Sequence, residues 1–249
     1  MNSLILCEGK SDAIIISYLM IKKYGFEYNA DKDFNKNMTP KINEKGDVSV
    51  NWYTRSNGDN LMICGVGGFN NISKFFDKYI SSIQLADYND EKIFSKILIV
   101  CDRDNNTSEK IEDAINNNIE KIEVNFKNSI WNRVDYNSDF NVKKSFNSYL
   151  LIIPTSEEGA LEEVVLKALA ENDDSSCIVK SSISFVDNIR EDASKYLNKK
   201  RYISKAKVGV TFAVMFPEKL FNFIDEILKS IEWDKYKSMI QSFDVLAEI

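Results

Sequence analysis

Four short, unbroken apolar runs constrain the fold more than any other feature of the chain. They are Leu4-Ile5-Leu6-Cys7, Leu61-Met62-Ile63-Cys64, Ile97-Leu98-Ile99-Val100-Cys101 and Leu150-Leu151-Ile152-Ile153. Runs of this length without polar alternation read as strands buried on both faces. Each is followed by a helix-compatible stretch, over residues 12–24, 70–85, 109–121 and 160–170. Strands alternating with helices imply parallel pairing through right-handed crossovers. The expected architecture is therefore α/β and Rossmann-like, a mainly parallel sheet flanked by helices. One further strand is expected over 48–53, joined to the second run through the turn Ser56-Asn57-Gly58-Asp59.

Residues 1–171 are expected to form this core, with insertions at about 26–60 and 122–148, where the polar stretch 26–47 reads as a loop. Residues 172–176 (Asn-Asp-Asp-Ser-Ser) read as a hinge or loop. The rest, 172–249, is expected to be a mostly helical extension packed on the core, with its clearest helices over 220–231 and 235–246.

What the chain lacks narrows its chemistry. It contains no histidine, so no Ser-His-Asp triad, Cys-His dyad, histidine general base or histidine-ligated zinc can be built from it. Any enzyme made from it works with carboxylates, Lys, Tyr, Cys or a metal on oxygen ligands. Cysteines 7, 64, 101 and 177 show no C-x-x-C spacing and read as small buried hydrophobes in a reducing compartment. A net charge of −6 argues against a generic basic nucleic-acid binder. No apolar stretch approaches the ~20 residues of a membrane span. No basic stretch precedes the first apolar run, so a signal peptide is not expected and a cytoplasmic location is.

The acids fall in an informative place. Ligands of open α/β sheets bind beyond the carboxyl ends of the strands. Glu8 follows the first run, Asp102 and Asp104 the third, and Glu157 and Glu158 the fourth. Strand side chains repeat every two residues, so Asp102 and Asp104 are expected on one side, and Glu8 beside them would gather three carboxylates. Such a cluster persists in charged form mainly around a cation, and oxygen ligands open to water favour Mg²⁺ or Mn²⁺. Each acid also has a plainer reading, as a helix cap or turn residue.

The segments Leu4-Ile5-Leu6-Cys7-Glu8-Gly9-Lys10-Ser11-Asp12, Gly67-Gly68 and Ile97-Leu98-Ile99-Val100-Cys101-Asp102-Arg103-Asp104 resemble, in order, the motifs of the Toprim domain. Topoisomerases, bacterial primases, recombination-repair proteins and the overcoming-lysogenization-defect nucleases share that fold. Residues 156–163 look like the Gly-x-Leu-Glu element of the last group and of small stand-alone Toprim proteins. Ser204-Lys205-Ala206-Lys207 looks like their lysine-bearing segment.

The resemblance implies Glu8 as metal ligand or general base, Asp102 and Asp104 as ligands, Asp12 as the second acid of the first motif, and Glu162 as a ligand of a second ion. It implies Lys205, with Lys207 as alternate, as the cation that offsets phosphoryl charge. Lys10, Gly67 and Gly68 are candidates to touch phosphate, the glycines because they allow close backbone approach before a helix start.

The chain departs from the larger members of the family. It has no zinc-binding cysteine set, no assignable topoisomerase tyrosine and no Gly-x-x-x-x-Gly-Lys-Ser/Thr loop, so an ATPase would have to be a separate partner. The implied activity is hydrolysis of DNA or RNA with one or two Mg²⁺ or Mn²⁺ ions, and the family association extends to bacterial defence against phage. The competing expectations are a non-catalytic nucleic-acid or partner-binding module and a small-molecule phosphohydrolase or phosphotransferase. Lys143-Lys144 and Lys199-Lys200-Arg201 could follow a phosphate backbone or simply be solvated.

Overall fold

The apolar runs become the middle of a seven-stranded sheet in the computed structural model, which describes residues 1–39, 48–86, 91–219 and 224–249. The chain divides into two compact units. The first comprises residues 1–101, 106–152 and 247–249, and the second residues 102–105 and 153–246. The division falls at 152/153, not at the expected 171/172, so the helix after the fourth run groups with the helices that follow it.

Up to residue 153 the order is β1 (Asn2–Cys7), α1 (Lys10–Tyr24), β2 (Phe26–Tyr28), α2 (Lys32–Met38), β3 (Ser49–Arg55), β4 (Asn60–Gly65), α3 (Phe69–Phe75), a π-helical turn (Phe76–Ile80), α4 (Ser81–Ala86), β5 (Lys96–Asp102), α5 (Ser108–Asn116), β6 (Asn132–Asn137) and β7 (Lys143–Ile153). The sheet order is β2-β3-β4-β1-β5-β7-β6. β1 pairs in parallel with β4 and β5. Antiparallel pairing joins β2 to β3, β3 to β4 and β6 to β7. The α/β architecture read from the sequence is the one the chain adopts, with its parallel pairing at the centre and antiparallel strands toward the margins.

β1 is buried along its whole length, which explains its lack of polar alternation. Period two then sorts its side chains. Leu4 and Leu6 share one cluster with Ile72 and Phe76 of the α3 region and Ile111 and Ile115 of α5. α1 lies against β1 and β4, and its buried Ile15, Ile16, Leu19 and Met20 are not part of that cluster. Gly25, at φ 72, caps α1 in the left-handed region, a conformation open to glycine at little cost.

The segment read as a loop over 26–47 carries structure as far as residue 39; residues 40–47 lie outside the described residues. β2 is a three-residue edge strand, and Asp31 caps α2 by accepting from the Asp33 and Phe34 N–H groups. Phe34 meets Trp52 edge to face at 5.4 Å, and Thr39 accepts from the Trp52 indole at 2.9 Å. The stretch 122–148 supplies β6 and the first half of β7.

In the second unit α6 (Leu161–Leu169), α7 (Asp173–Asn188), α8 (Lys200–Met215), α9 (Ile224–Ser230) and α10 (Lys237–Ser242) follow one another. The expected hinge at 172–176 is instead the start of α7, because Asn172 caps it by accepting from the Asp174 N–H at 2.9 Å. Of the helix expected over 220–231, residues 220–223 lie outside the described residues and the remainder is α9. The helix expected over 235–246 is cut to α10 between two 3-10 turns. Among the described residues no helix is long and apolar enough to cross a membrane.

Candidate functional site

Glu8 is the first residue past β1, and the β1–β4 pairing continues beyond the strands through the backbone. The Cys7 carbonyl accepts from Val66 N–H at 3.0 Å, and the Glu8 carbonyl accepts from Gly68 N–H at 2.7 Å. The approach is close: a Cβ on Gly65 would stand 2.7 Å from the Gly9 oxygen. Gly67 and Gly68 have φ values of 79 and 123, so glycine is required there by the turn itself.

These bonds use part of the backbone of that loop. The Gly68 N–H is committed to Glu8, and Asn71 Nδ2 donates to the Val66 and Gly67 carbonyls. The turn is tied to its own neighbours.

The start of α1 also differs from expectation. Neither Ser11 nor Asp12 is the capping position; Gly9 is, and the helix begins at the exposed Lys10. Asp12 is buried, and its Oδ2 accepts from Gly9 N–H at 2.8 Å, reaching back over the first turn. This carboxylate, assigned by resemblance to a metal, has a structural use in the helix start.

In the second unit the segment 102–105 is stitched to 153–161. Asp102, the last residue of β5, accepts at Oδ1 from Leu161 N–H, the first residue of α6, at 2.9 Å. The Arg103 N–H donates to the Ile153 carbonyl at 2.7 Å. Its guanidinium donates to the carbonyls of Pro154 and Thr155 at 2.9 and 3.0 Å. Asp104 and Gly159 exchange both backbone hydrogen bonds, at 2.6 and 3.0 Å.

Strand periodicity therefore stops at Asp102. Asp104 has φ 49, in the left-handed region that Asp tolerates better than most side chains. The expectation that Asp102 and Asp104 project to one side through an extended strand does not hold. Asp104 is exposed, and its bridge to Gly159 is made by the backbone.

α6 opens with two glutamates that do different work. Glu163 Oε2 accepts from Ala160 N–H at 2.7 Å, and its Oε1 accepts a short hydrogen bond from the Ser204 hydroxyl of α8. Gly159, at φ 142, makes room for this, since a Cβ there would lie 2.8 Å from the Glu163 carboxylate. Glu162 instead faces Lys205 at 3.8 Å, with side-chain exposures of 20% and 52%.

Burial pushes the Glu162 carboxyl above the usual carboxylate range. Its own backbone N–H and the charges of Lys205 and Arg201 pull it back, while Glu163 adds to the rise. With Lys205 half exposed, the pair itself is worth no more than about 1 kcal/mol.

The alternate lysine faces elsewhere: Lys207 pairs with Asp187 of α7 at 2.8 Å. Of the acids just past β7, Glu158 is exposed and pairs with Lys200 at 2.6 Å, which lowers its pKa. Sequence reasoning missed Arg103, Ser204 and the capping role of Glu163. Only the last had a signal, a glutamate three residues after the residue that precedes the helix.

A family model described as protein of unknown function, DUF3226, matches residues 2–243. The chain belongs to the DUF3226 family. It is similar to a solved structure of hypothetical protein PH0156 from Pyrococcus horikoshii OT3, at 18% identity and a TM-score of 0.47, over 98% of this chain and 91% of that one. No curated protein matches it.

For this DUF3226 chain the donor chemistry suits a hard cation, since the candidate ligands are carboxylates and histidine is absent. The grouping is less complete than the chemistry. Among the described residues, no three His, Cys, Asp or Glu side chains are gathered as they would be around an ion.

Proposed function

We propose that this DUF3226 protein hydrolyses phosphodiester bonds of DNA or RNA with Mg²⁺ or Mn²⁺, and that it acts with a separate ATPase in bacterial defence against phage. The supporting observation is the start of α6. Asp102 is held there by the first helical N–H, the half-buried Glu162 follows one residue on, and Lys205 stands 3.8 Å from it.

Asp102, Asp104 and Glu162 would hold the ion in this reading. An ion on oxygen ligands supplies Lewis acidity to a phosphoryl group and lowers the pKa of a bound water. The protein's own contribution is separable from that. Lys205 offsets negative charge that develops on the phosphate.

One observation favours a second reading, a non-catalytic nucleic-acid or partner-binding module. No three candidate ligands are gathered among the described residues, and Asp12 and Glu163 are used by the helix starts.

Cleavage of plasmid, single-stranded DNA and RNA with Mn²⁺, Mg²⁺ or EDTA separates the two. The informative variant is Asp102→Asn, which keeps an acceptor for the Leu161 N–H but loses the charge. Hydrolysis requires metal and is abolished in this folded variant; wild-type cleavage that survives EDTA rejects the proposal. A folded wild type that neither cleaves nor gains thermal stability with Mn²⁺ supports the second reading, since saturation to a hundredfold above Kd stabilises by about 2.7 kcal/mol.

A further inference from the structure

The turn between α7 and α8 departs from the character of the rest of the molecule. Residues 190–207 carry seven Lys or Arg against two acids, in a chain whose net charge is −6. Within this stretch Tyr196 is 72% exposed and Tyr202 43% exposed, although rings of this size ordinarily gain by burial. Lys195 lies over the Tyr196 ring at 5.7 Å, and Lys199 over the Tyr202 ring at 5.6 Å.

The first turn of α8 adds a second anomaly. Helix polarity favours acids at an N-terminus and disfavours cations. Here Lys199 is the capping residue without a side-chain cap, Lys200 and Arg201 follow, and no acid occupies the turn. Glu158 pairs with Lys200; among the described residues no ion pair engages Lys195 or Lys199. Fold stability does not explain this placement, whereas an anionic partner does.

We propose that residues 195–202 form a docking surface for single-stranded nucleic acid. Lys195, Lys199 and Arg201 meet backbone phosphates, and Tyr196 and Tyr202 stack on unpaired bases. Seven successive residues from Tyr196 to Tyr202 span at most roughly 23 Å, a reach of a few nucleotides. Exposed aromatic rings set among cations match this ligand better than a duplex, whose bases are already stacked. The surface extends the hydrolase reading by saying where and in what form the substrate is held, but its binding test needs no metal.

The test is fluorescence anisotropy in EDTA at low salt, with labelled dT20, rU20 and a 20-base-pair duplex, the two single strands separating DNA from RNA. Wild type binds at least one single strand more tightly than duplex. Tyr196→Ala/Tyr202→Ala weakens that binding about tenfold or more, in line with the worth of base stacking on a ring. Lys195→Glu/Lys199→Glu weakens it and flattens its salt dependence.

Both pairs lie on the surface, so circular dichroism matches wild type. The proposal is overturned if wild type binds neither single strand, if duplex binds better, if the tyrosine pair changes nothing, or if anionic phospholipid vesicles bind where oligonucleotides do not. Single-strand binding without metal-dependent cleavage rejects the hydrolase alone, and cleavage with binding unchanged in the variants rejects the docking surface alone.

Discussion

Two glycine-to-alanine substitutions in the second unit should move stability in opposite directions. In Gly159→Ala the new methyl meets the Glu163 carboxylate, with contacts of 2.8 Å to Cδ and Oε2. The residue must also hold φ 142, where L-residues are strained by about 1–3 kcal/mol. Displacing Glu163 frees the Ala160 N–H it accepts from at 2.7 Å, a lost helix-start bond worth about 1 kcal/mol. The combined cost is about 3 kcal/mol, which lowers Tm by roughly 6–12 °C for a chain of this size.

Gly209 provides the control. It sits inside α8, and a Cβ there meets nothing within 4 Å. Gly209→Ala should gain about 0.5–1 kcal/mol from reduced backbone entropy and better helix propensity. Thermal melts followed by circular dichroism and urea midpoints measure both. A Gly159→Ala Tm within about 2 °C of wild type, less than the change expected from 1 kcal/mol, would refute the account of how Gly159 and Glu163 shape the start of α6.

Glu162 should leave a mark on the pH dependence of stability. Its pKa is raised in the folded chain, so the folded state keeps that proton to higher pH than the unfolded one, and stability falls as pH climbs from the unfolded pKa through the folded one. Glu162→Gln removes this slope, so its urea midpoint should gain on wild type across that window and run parallel above it; a gain that shrinks with pH contradicts the assignment. Ser204→Ala removes the donor to Glu163 Oε1 and should cost about 1.5–3 kcal/mol in urea unfolding, as hydrogen bonds to charged groups do; a loss below the error of the measurement argues that water replaces the hydroxyl.

Burial decided what could be read from the sequence. β1, β4 and β5 announce themselves because their central positions are buried on both faces, which removes polar alternation. β2 is silent because only Phe26 of its three residues is buried. It exists through pairing with β3, which no local pattern encodes. α2 is polar and short, yet the Asp31 cap and the spacing of Phe34 and Met38 were present to be read. β7 was legible only in its apolar second half, since Lys143, Lys144 and Ser145 begin it with no sign of burial.

The helix expected over 70–85 has nearly the observed span, but the π-helical turn within it has no composition of its own. At the site, the positions of the acids at strand ends were legible, whereas the left-handed backbone of Asp104 and the commitments of Asp12 and Glu163 arise from neighbours distant in pattern or sequence.

Those commitments bear on which carboxylates the fold needs. A hydrogen-bond acceptor requires a lone pair, whereas a cation site requires charge. Asn serves about as well as Asp in capping a helix, and Gln can stand in for Glu at its third position. Asp12 and Glu163 accept from the backbone of their own helix starts, so the fold is sufficient reason for an acceptor at each.

Asp104 differs. Its bridge to Gly159 is a backbone matter, and Asn or Gly would hold φ 49 equally well. Glu162 differs in the other direction: burial works against its charge, and Gln would fill the same space without that cost. Of these four, an acid the backbone does not use and an acid the fold would hold more easily uncharged are the two that stability does not explain. Asp104 and Glu162, more than the better-anchored Asp12, are therefore where a chemical role for this site has to be sought.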